Sequence, residues 1–283
     1  MSDPIATPVP KNSARLQSAI ARAAKARGVP QRRIQTAVAN TIVGQMLPDG
    51  VVKGGTGLKL RIGEDASRFT PDLDAAFGGD VDAFQEAFTK KLAAGWGADG
   101  AKFVGKITRQ EPAKPVGVPG EYLMQPFSIS LKYNGKAWGH VDFELGHDEL
   151  DGAEHPEMVV AADLVTLFAE LGLPTPGPVP VLPLEYQLAQ KLHALTTVDG
   201  ERAHDLVDIQ LLIGAGTVNV PLLRGLCERT FRYRGQHAWP PVAVVGPTWP
   251  TLYSDAAEGV AVIESVEDAV VWVNEFISEI SAA

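Results

Sequence analysis

The dipeptide Asn134-Gly135 sits between two alternating apolar runs, residues 127–133 and 138–145. Both residues tolerate positive φ, which the two-residue turn of a right-twisted hairpin demands, so the pair predicts an antiparallel hairpin. In its second strand Val141, Phe143 and Leu145 take one face while His140, Asp142 and Glu144 take the other. That polar row is either a solvated strand face or part of a site.

The rest of the chain is organised around that hairpin. Residues 1–12 are proline-containing and non-periodic and read as a loose leader. Residues 13–27 and 30–46 read as helices, with apolar residues at Leu16, Ile20, Ile34, Val38, Ile42 and Met46 marking one buried side of each. Gly28 suits the end of the first helix and Pro30 the start of the second. Residues 51–56 look like a short strand entering a tight turn, 69–77 a second strand, 84–92 a helix and 102–110 another strand. Five prolines between 174 and 183 predict an extended connector, and helical periodicity dominates beyond it, at 184–195, 204–213 and 267–280. The expectation is an α/β (α+β) chain. Residues 1–173 form N-terminal helices and a mixed core, 174–183 a linker, and 184–283 a mainly helical domain.

Composition is that of an ordinary globular chain, with 45% hydrophobic and 21% charged residues. No apolar run approaches bilayer length, the N-terminus has no signal-peptide pattern, and one cysteine, Cys227, excludes an internal disulfide or a cysteine-rich zinc site. A cytoplasmic protein without a membrane partner is expected, with Cys227 in the core. The net charge of −9 is uneven: residues 1–60 carry +7 and the remainder −16. The basic segment is either a face for phosphate backbones or solvated helix surface.

Five clusters carry candidate chemistry. Asp72 and Asp74 lie two apart, so a strand points both carboxylates to one side, about 7 Å apart. Such a pair repels itself unless a hard cation such as Mg2+ sits between it and substrate phosphates. Gly54-Gly55-Thr56 can turn a strand end sharply and bring backbone N–H groups, with the Thr56 hydroxyl, against a phosphate. Asp142, favoured over Glu144, can complete the metal set or act as general base. Lys191 falls at the edge of the apolar face of its helix, where it either snorkels or meets an anion, and His193 is expected at the surface. Asp205 and Asp208 share a face of the next helix and can orient Lys191 or hold substrate, and Asp205 can also serve as a helix-start carboxylate.

In this order the segments Val52-Lys-Gly-Gly-Thr-Gly-Leu58, Arg68-Phe-Thr-Pro-Asp-Leu-Asp74, 185–195 with Lys191, and Arg202-Ala-His-Asp205-Leu-Val-Asp208 resemble the AbiEii/AbiGii family of nucleotidyltransferase toxins, including the mycobacterial MenT toxins. The resemblance implies a DNA polymerase β-like nucleotidyltransferase core with a helical C-terminal domain. It implies Asp72 and Asp74 as metal-binding carboxylates, Gly54 and Gly55 as the phosphate grip, Lys191 as the nucleotide contact, and Asp205 or Asp208 as the late catalytic aspartate. The MenT branch implies Mg2+ (or Mn2+), an NTP substrate with CTP among the candidates, the tRNA acceptor end as nucleotide acceptor with a block of translation, and a cognate antitoxin. It also implies Thr70, two residues before Asp72, as a regulatory phosphorylation site. A protein or small-molecule acceptor, or a silent nucleotide- or RNA-binding protein, are the alternatives that the residues leave open.

Overall fold

A computed structural model describes residues 7–112, 124–198 and 200–283. The chain divides into two compact units. The first comprises Met1–Asp65, Thr70–Asp148 and Pro156–Val181; the second comprises Ala66–Phe69, Glu149–His155 and Leu182–Ala283.

The first unit opens on α1 (Ser13–Arg27) and α2 (Gln31–Gln45). Asn12 caps α1 by accepting from the Arg15 amide at 3.0 Å, and Gly28 ends it at φ +68°, the left-handed cap that glycine adopts without a Cβ penalty. Leu16, Ile20, Ile34, Val38 and Ile42 are fully buried, as their spacing predicts. Ahead of α1, the Tyr133 hydroxyl donates to the Pro10 carbonyl at 2.6 Å, so the described part of the leader is tied down and not loose.

A mixed eight-stranded sheet follows, in the order β3-β4-β5-β6-β2-β1-β8-β7. Its strands are β1 (Val51–Lys53), β2 (Leu73–Phe77), β3 (Trp96–Ala98), β4 (Ala101–Arg109), β5 (Gln125–Tyr133), β6 (Lys136–His147), β7 (Glu157–Val159) and β8 (Val179–Val181). The β5–β6 hairpin turns at Asn134 and Gly135, with φ 46° and 78°, as its dipeptide demands. Helices α3 (Gly54–Ile62), α4 (Val81–Ala94) and α5 (Ala162–Glu170) complete this unit. The core lies on one face of the sheet, where Leu73, Val141, Phe143 and Leu145 pack with α1, α2, Phe84 and Phe88.

Three expectations change. The Gly-Gly segment is not a tight turn but the start of α3, whose Leu58 and Leu60 are buried at 0% and 1% exposure; their burial outweighs the low helix propensity of three glycines. The second strand begins only at Leu73, because Pro71 can donate nothing to a ladder. The proline-rich stretch contains β8, which pairs in parallel with β1 through Val52 and Val181; prolines at edges and alternate positions are compatible with so short a strand.

The second unit is helical: α6 (Leu184–Leu195), α7 (Ala203–Gly214), α8 (Val220–Arg234), α9 (Trp249–Ala257) and α10 (Val266–Ala282). Cys227 is fully buried within α8, and burial pushes its thiol pKa up, so it is inert. No helix among the described residues is long and apolar enough to cross a membrane.

Candidate active site

In the first unit the site grows out of sheet register. β1 and β2 are antiparallel with Lys53 opposite Asp74, and β2 and β6 are parallel with Asp74 beside Glu144. Register partners project to the same face, so Lys53, Asp74 and Glu144 stand in a row across three strands, on the face opposite the core residues Leu73 and Phe143. Asp142, two positions along β6, shares this face, and its carboxylate takes a 2.8 Å contact from His140 Nε2. Asp72 immediately precedes β2. A groove of about 510 Å³ is lined by Asp72, Ser128, His140, Asp142 and Glu144, among others.

Gly54 follows Lys53 at φ +63°, and a Cβ there would overlap the Asp74 carboxylate oxygen Oδ2. Gly55 is equally constrained, since its Cβ would lie 2.9 Å from both Cβ and Oγ1 of Thr70. The two glycines therefore bring the first turn of α3, which contains no acidic residue, directly against Asp74 and Thr70. A helix start with free amides and no competing carboxylate side chain of its own favours an anion.

Thr56 is buried, and its hydroxyl donates to the Asp72 carbonyl at 2.6 Å. Asn40 of α2 donates to Thr56 Oγ1 at 3.3 Å and to the Pro71 and Asp72 carbonyls at 3.4 Å. A threonine hydroxyl has one proton, and here it points at the backbone of Asp72 and not outward. Thr70 is 7% exposed.

The carboxylates crowd one another. The Glu144 carboxyl is raised above its ordinary value, first by burial and then by the charges of Asp74 and Asp72; Lys53 opposes the shift and Asp142 adds to it. Among the described residues no three or more His, Cys, Asp or Glu side chains form a set that could hold a metal ion by themselves. Crowded carboxylates that Lys53 offsets only in part, beside an anion-seeking helix start, fit Mg2+, which binds through one or two carboxylates and completes its shell with water and substrate phosphates.

The second unit holds a buried ion network. Lys191 Nζ reaches Asp205 Oδ1 at 2.9 Å and Asp208 Oδ2 at 2.6 Å. Arg68 grips Asp208 with both branches, Nε to Oδ1 at 2.8 Å and Nη2 to Oδ2 at 2.9 Å, and Arg202 Nε donates to Asp205 Oδ2 at 2.7 Å. Lys191 therefore does not snorkel: the two aspartates supply its anion. Burial alone would lower the Lys191 pKa, but Asp205 and Asp208 overcome it and the net shift is upward. Burial would raise both aspartates, yet Lys191 with Arg202 holds Asp205 below its ordinary value, and Lys191 with Arg68 does the same for Asp208.

His193 is not at the surface. It is 1% exposed, against Phe231 and His237 at ring-centroid distances of 4.8 and 4.6 Å, and burial followed by the charge of Arg234 pushes its pKa down to about 3. Its position off the lysine face of α6 misleads because α6 is covered on two sides, by α7 and by α8. Sequence reasoning also left Lys53, Asn40 and Arg202 without roles. Arg68 was visible only as a letter in a motif.

No curated protein sequence matches the chain. Among solved structures, MenT4, a nucleotidyltransferase toxin of Mycobacterium tuberculosis, superposes with a TM-score of 0.63 at 17% identity, covering 94% of this chain and 90% of its own. JHP933 from Helicobacter pylori aligns over 86% of this chain and 88% of its own at 13% identity, with a TM-score of 0.41. The MenT4 superposition gives the fold, that of a nucleotidyltransferase toxin with a mixed α/β core followed by helices. The family model for the nucleotidyl transferase AbiEii toxin of type IV toxin–antitoxin systems matches residues 44–270, most of the sequence, and the chain belongs to that family.

Proposed function

We propose that this chain is a Mg2+-dependent nucleotidyltransferase that transfers a nucleotide from an NTP to the 3′ end of RNA, tRNA in particular, and acts as a toxin by blocking translation. The observation that carries the reading is the placement of Gly54 against the Asp74 carboxylate, with Glu144 in register beside it.

In this reading the amides at the start of α3 hold the triphosphate, and Asp72 and Asp74 hold the metal. When bound, Mg2+ would neutralise charge on the phosphates and lower the pKa of an attacking hydroxyl. The terminal ribose oxygen forms a bond to the α-phosphorus, the bond to pyrophosphate breaks, and the hydroxyl proton passes to a carboxylate of β6. Glu144 is the better placed acceptor, because it is half-buried and in register with Asp74, whereas Asp142 is exposed and turned to His140. Thr56 and Asn40 act as positioning residues that fix the Asp72 backbone. Lys191, kept charged by Asp205 and Asp208, is proposed as a nucleotide contact carried by the second unit. A phosphoryl group on Thr70 would fill the space against Gly55 and displace the nucleotide phosphates. A cognate antitoxin is the partner expected of a toxin of this family.

The test is incubation with total RNA, Mg2+ and each labelled NTP in turn. Label in RNA is expected, and a folded Asp72→Ala variant should give none. Label in protein or a small molecule would redirect the acceptor, and full activity of Asp72→Ala would remove the carboxylates from the mechanism.

A further inference from the structure

Between Asp3 and Asp49 the chain has no acidic residue, yet it has seven basic ones. The structure sorts the six on α1 and α2 into two sets. Arg27 pairs with Glu170 and Asp65, and Arg33 with Glu64, so their charges are met within the first unit. Arg15, Arg22, Lys25 and Arg32 are exposed, and among the described residues none of their side chains has an ion-pair or hydrogen-bond partner. On α1, residues 15, 22 and 25 fall on one solvent-facing stripe, away from the buried Leu16, Ile20 and Ala23. From Arg15 to Lys25 it runs about 15 Å along the axis, and Arg32 continues the basic run beyond the α1–α2 turn.

This arrangement is costly to the helices that carry it. Both lack an acid in the first turn, and Arg15 and Arg32 put cations there, at the positive end of the dipole. Arg22 and Lys25 are like charges three apart. Lys25 alone has a local benefit, in the last turn of α1. Exposed helix surface elsewhere in the same unit is built differently: α4 interleaves Asp82, Glu86, Lys90 and Lys91, and Lys90 bonds Glu86 at 2.7 Å. A stripe that breaks the local rules without an internal partner calls for an external anion.

We infer that the α1 stripe of Arg15, Arg22 and Lys25, with Arg32, docks the phosphate backbone of the RNA acceptor. The inference rests on the RNA-acceptor reading above. Helices α1 and α2 pack in the core on the side of the sheet opposite the carboxylates. The stripe therefore holds the body of a large RNA and not its reacting 3′ end, and a short RNA does not need it.

The experiment compares the full chain with an Arg15→Glu/Arg22→Glu/Lys25→Glu variant. Affinity for unfractionated tRNA is measured from 50 to 200 mM salt, and transfer is measured on that tRNA and on a 12-nucleotide single-stranded RNA. Affinity should fall roughly tenfold or more, and the log–log salt slope should flatten by about 2 to 3, since each lost phosphate contact removes about 0.7 to 0.9. Transfer to the 12-mer should persist. The Arg15→Glu variant alone should not lower Tm, because an acid in the first turn suits the dipole, which separates docking from a folding role. Unchanged affinity and slope would overturn the assignment, as would an equal loss in a Lys90→Glu/Lys91→Glu control on α4. Failure of the parent to label either RNA would overturn the acceptor reading instead, while the binding slopes still decide the stripe.

Discussion

Gly28 and Gly54 form a matched pair. Both adopt nearly the same left-handed backbone, φ +68° and +63°, but a Cβ at Gly28 meets nothing within 4 Å whereas one at Gly54 overlaps Asp74 Oδ2. Alanine at either position costs roughly 1–2 kcal/mol of backbone strain, a fall in Tm of several degrees for a chain of this size. At Gly54 the added methyl would sit 3.2 Å from Asp74 Cγ and 3.4 Å from its Cβ, tight but tolerable contacts, so relief comes from swinging the carboxylate oxygen by about 1 Å. That swing adds little to the stability loss, because the carboxylate is the free end of a side chain. It should cost catalysis about a hundredfold, the effect of a 1 Å misplacement of a reacting group. Thermal unfolding and labelled-NTP incorporation into RNA, run on Gly28→Ala and Gly54→Ala together, separate the two. Similar Tm values with activity lost only in Gly54→Ala are expected. Wild-type incorporation by a folded Gly54→Ala would refute the placement of Asp74 at the reaction centre.

Other consequences follow from the same geometry. Glu144→Gln should lower transfer by about 10²-fold or more, within the range for a positioned general base, while Asp142→Asn lowers it only slightly; single-turnover rates with the two variants decide between them, and the reverse order would restore Asp142 as the third carboxylate. Lys191→Met leaves two buried aspartates with one arginine each and should destabilise the chain by about 3 kcal/mol, the low end for breaking a buried pair, as read from urea unfolding. Asp205 and Asp208 have lowered folded-state pKa values, so their contribution is present above the unfolded carboxyl pKa of about 3.9 and lost as pH falls through and below it; Asp208→Asn should flatten the acid limb of a Tm–pH profile. His193 has the opposite chemistry but the same sense. With its pKa near 3 against about 6.5 unfolded, the unfolded chain gains a proton first and stability falls as pH drops below 6.5. About 2 kcal/mol of that loss lies between pH 6.5 and 5, and His193→Leu should remove it from the difference between denaturation curves at pH 7 and pH 5.

What the sequence shows and hides follows from the range of each interaction. The Asn134-Gly135 hairpin, α1 with its Gly28 cap, and α6 are all legible, because the residues that determine them are neighbours in the chain; the Asn12 cap at the other end of α1 emerges only in the structure. The start of α3 is not. Gly54, Gly55 and Gly57 argue locally for a turn, and the opposing force is burial of Leu58 and Leu60 against residues far away in sequence. β8 is obscured in the same way, since a three-residue strand between prolines exists only through its pairing with β1 and β7.

The candidate site divides along the same line. Its carboxylates can be named from the alternation of residues 72–74 and 140–144, but alternation says only which side chains share a face of one strand. Which of Asp142 and Glu144 stands beside Asp74 is a matter of register between β2 and β6, and register depends on the stretch between them and on the β5–β6 turn. The Lys191 network shows the converse. Asp205 and Asp208 announce a shared helix face, yet the network closes through Arg68, more than a hundred residues earlier and in no periodic segment at all. Buried charges need partners, so a lysine and two aspartates facing one core imply a second cation. That need for further positive charge is readable in advance; Arg202, three residues before Asp205, meets part of it locally, and Arg68 in Arg-Phe-Thr-Pro-Asp-Leu-Asp meets the rest at Asp208.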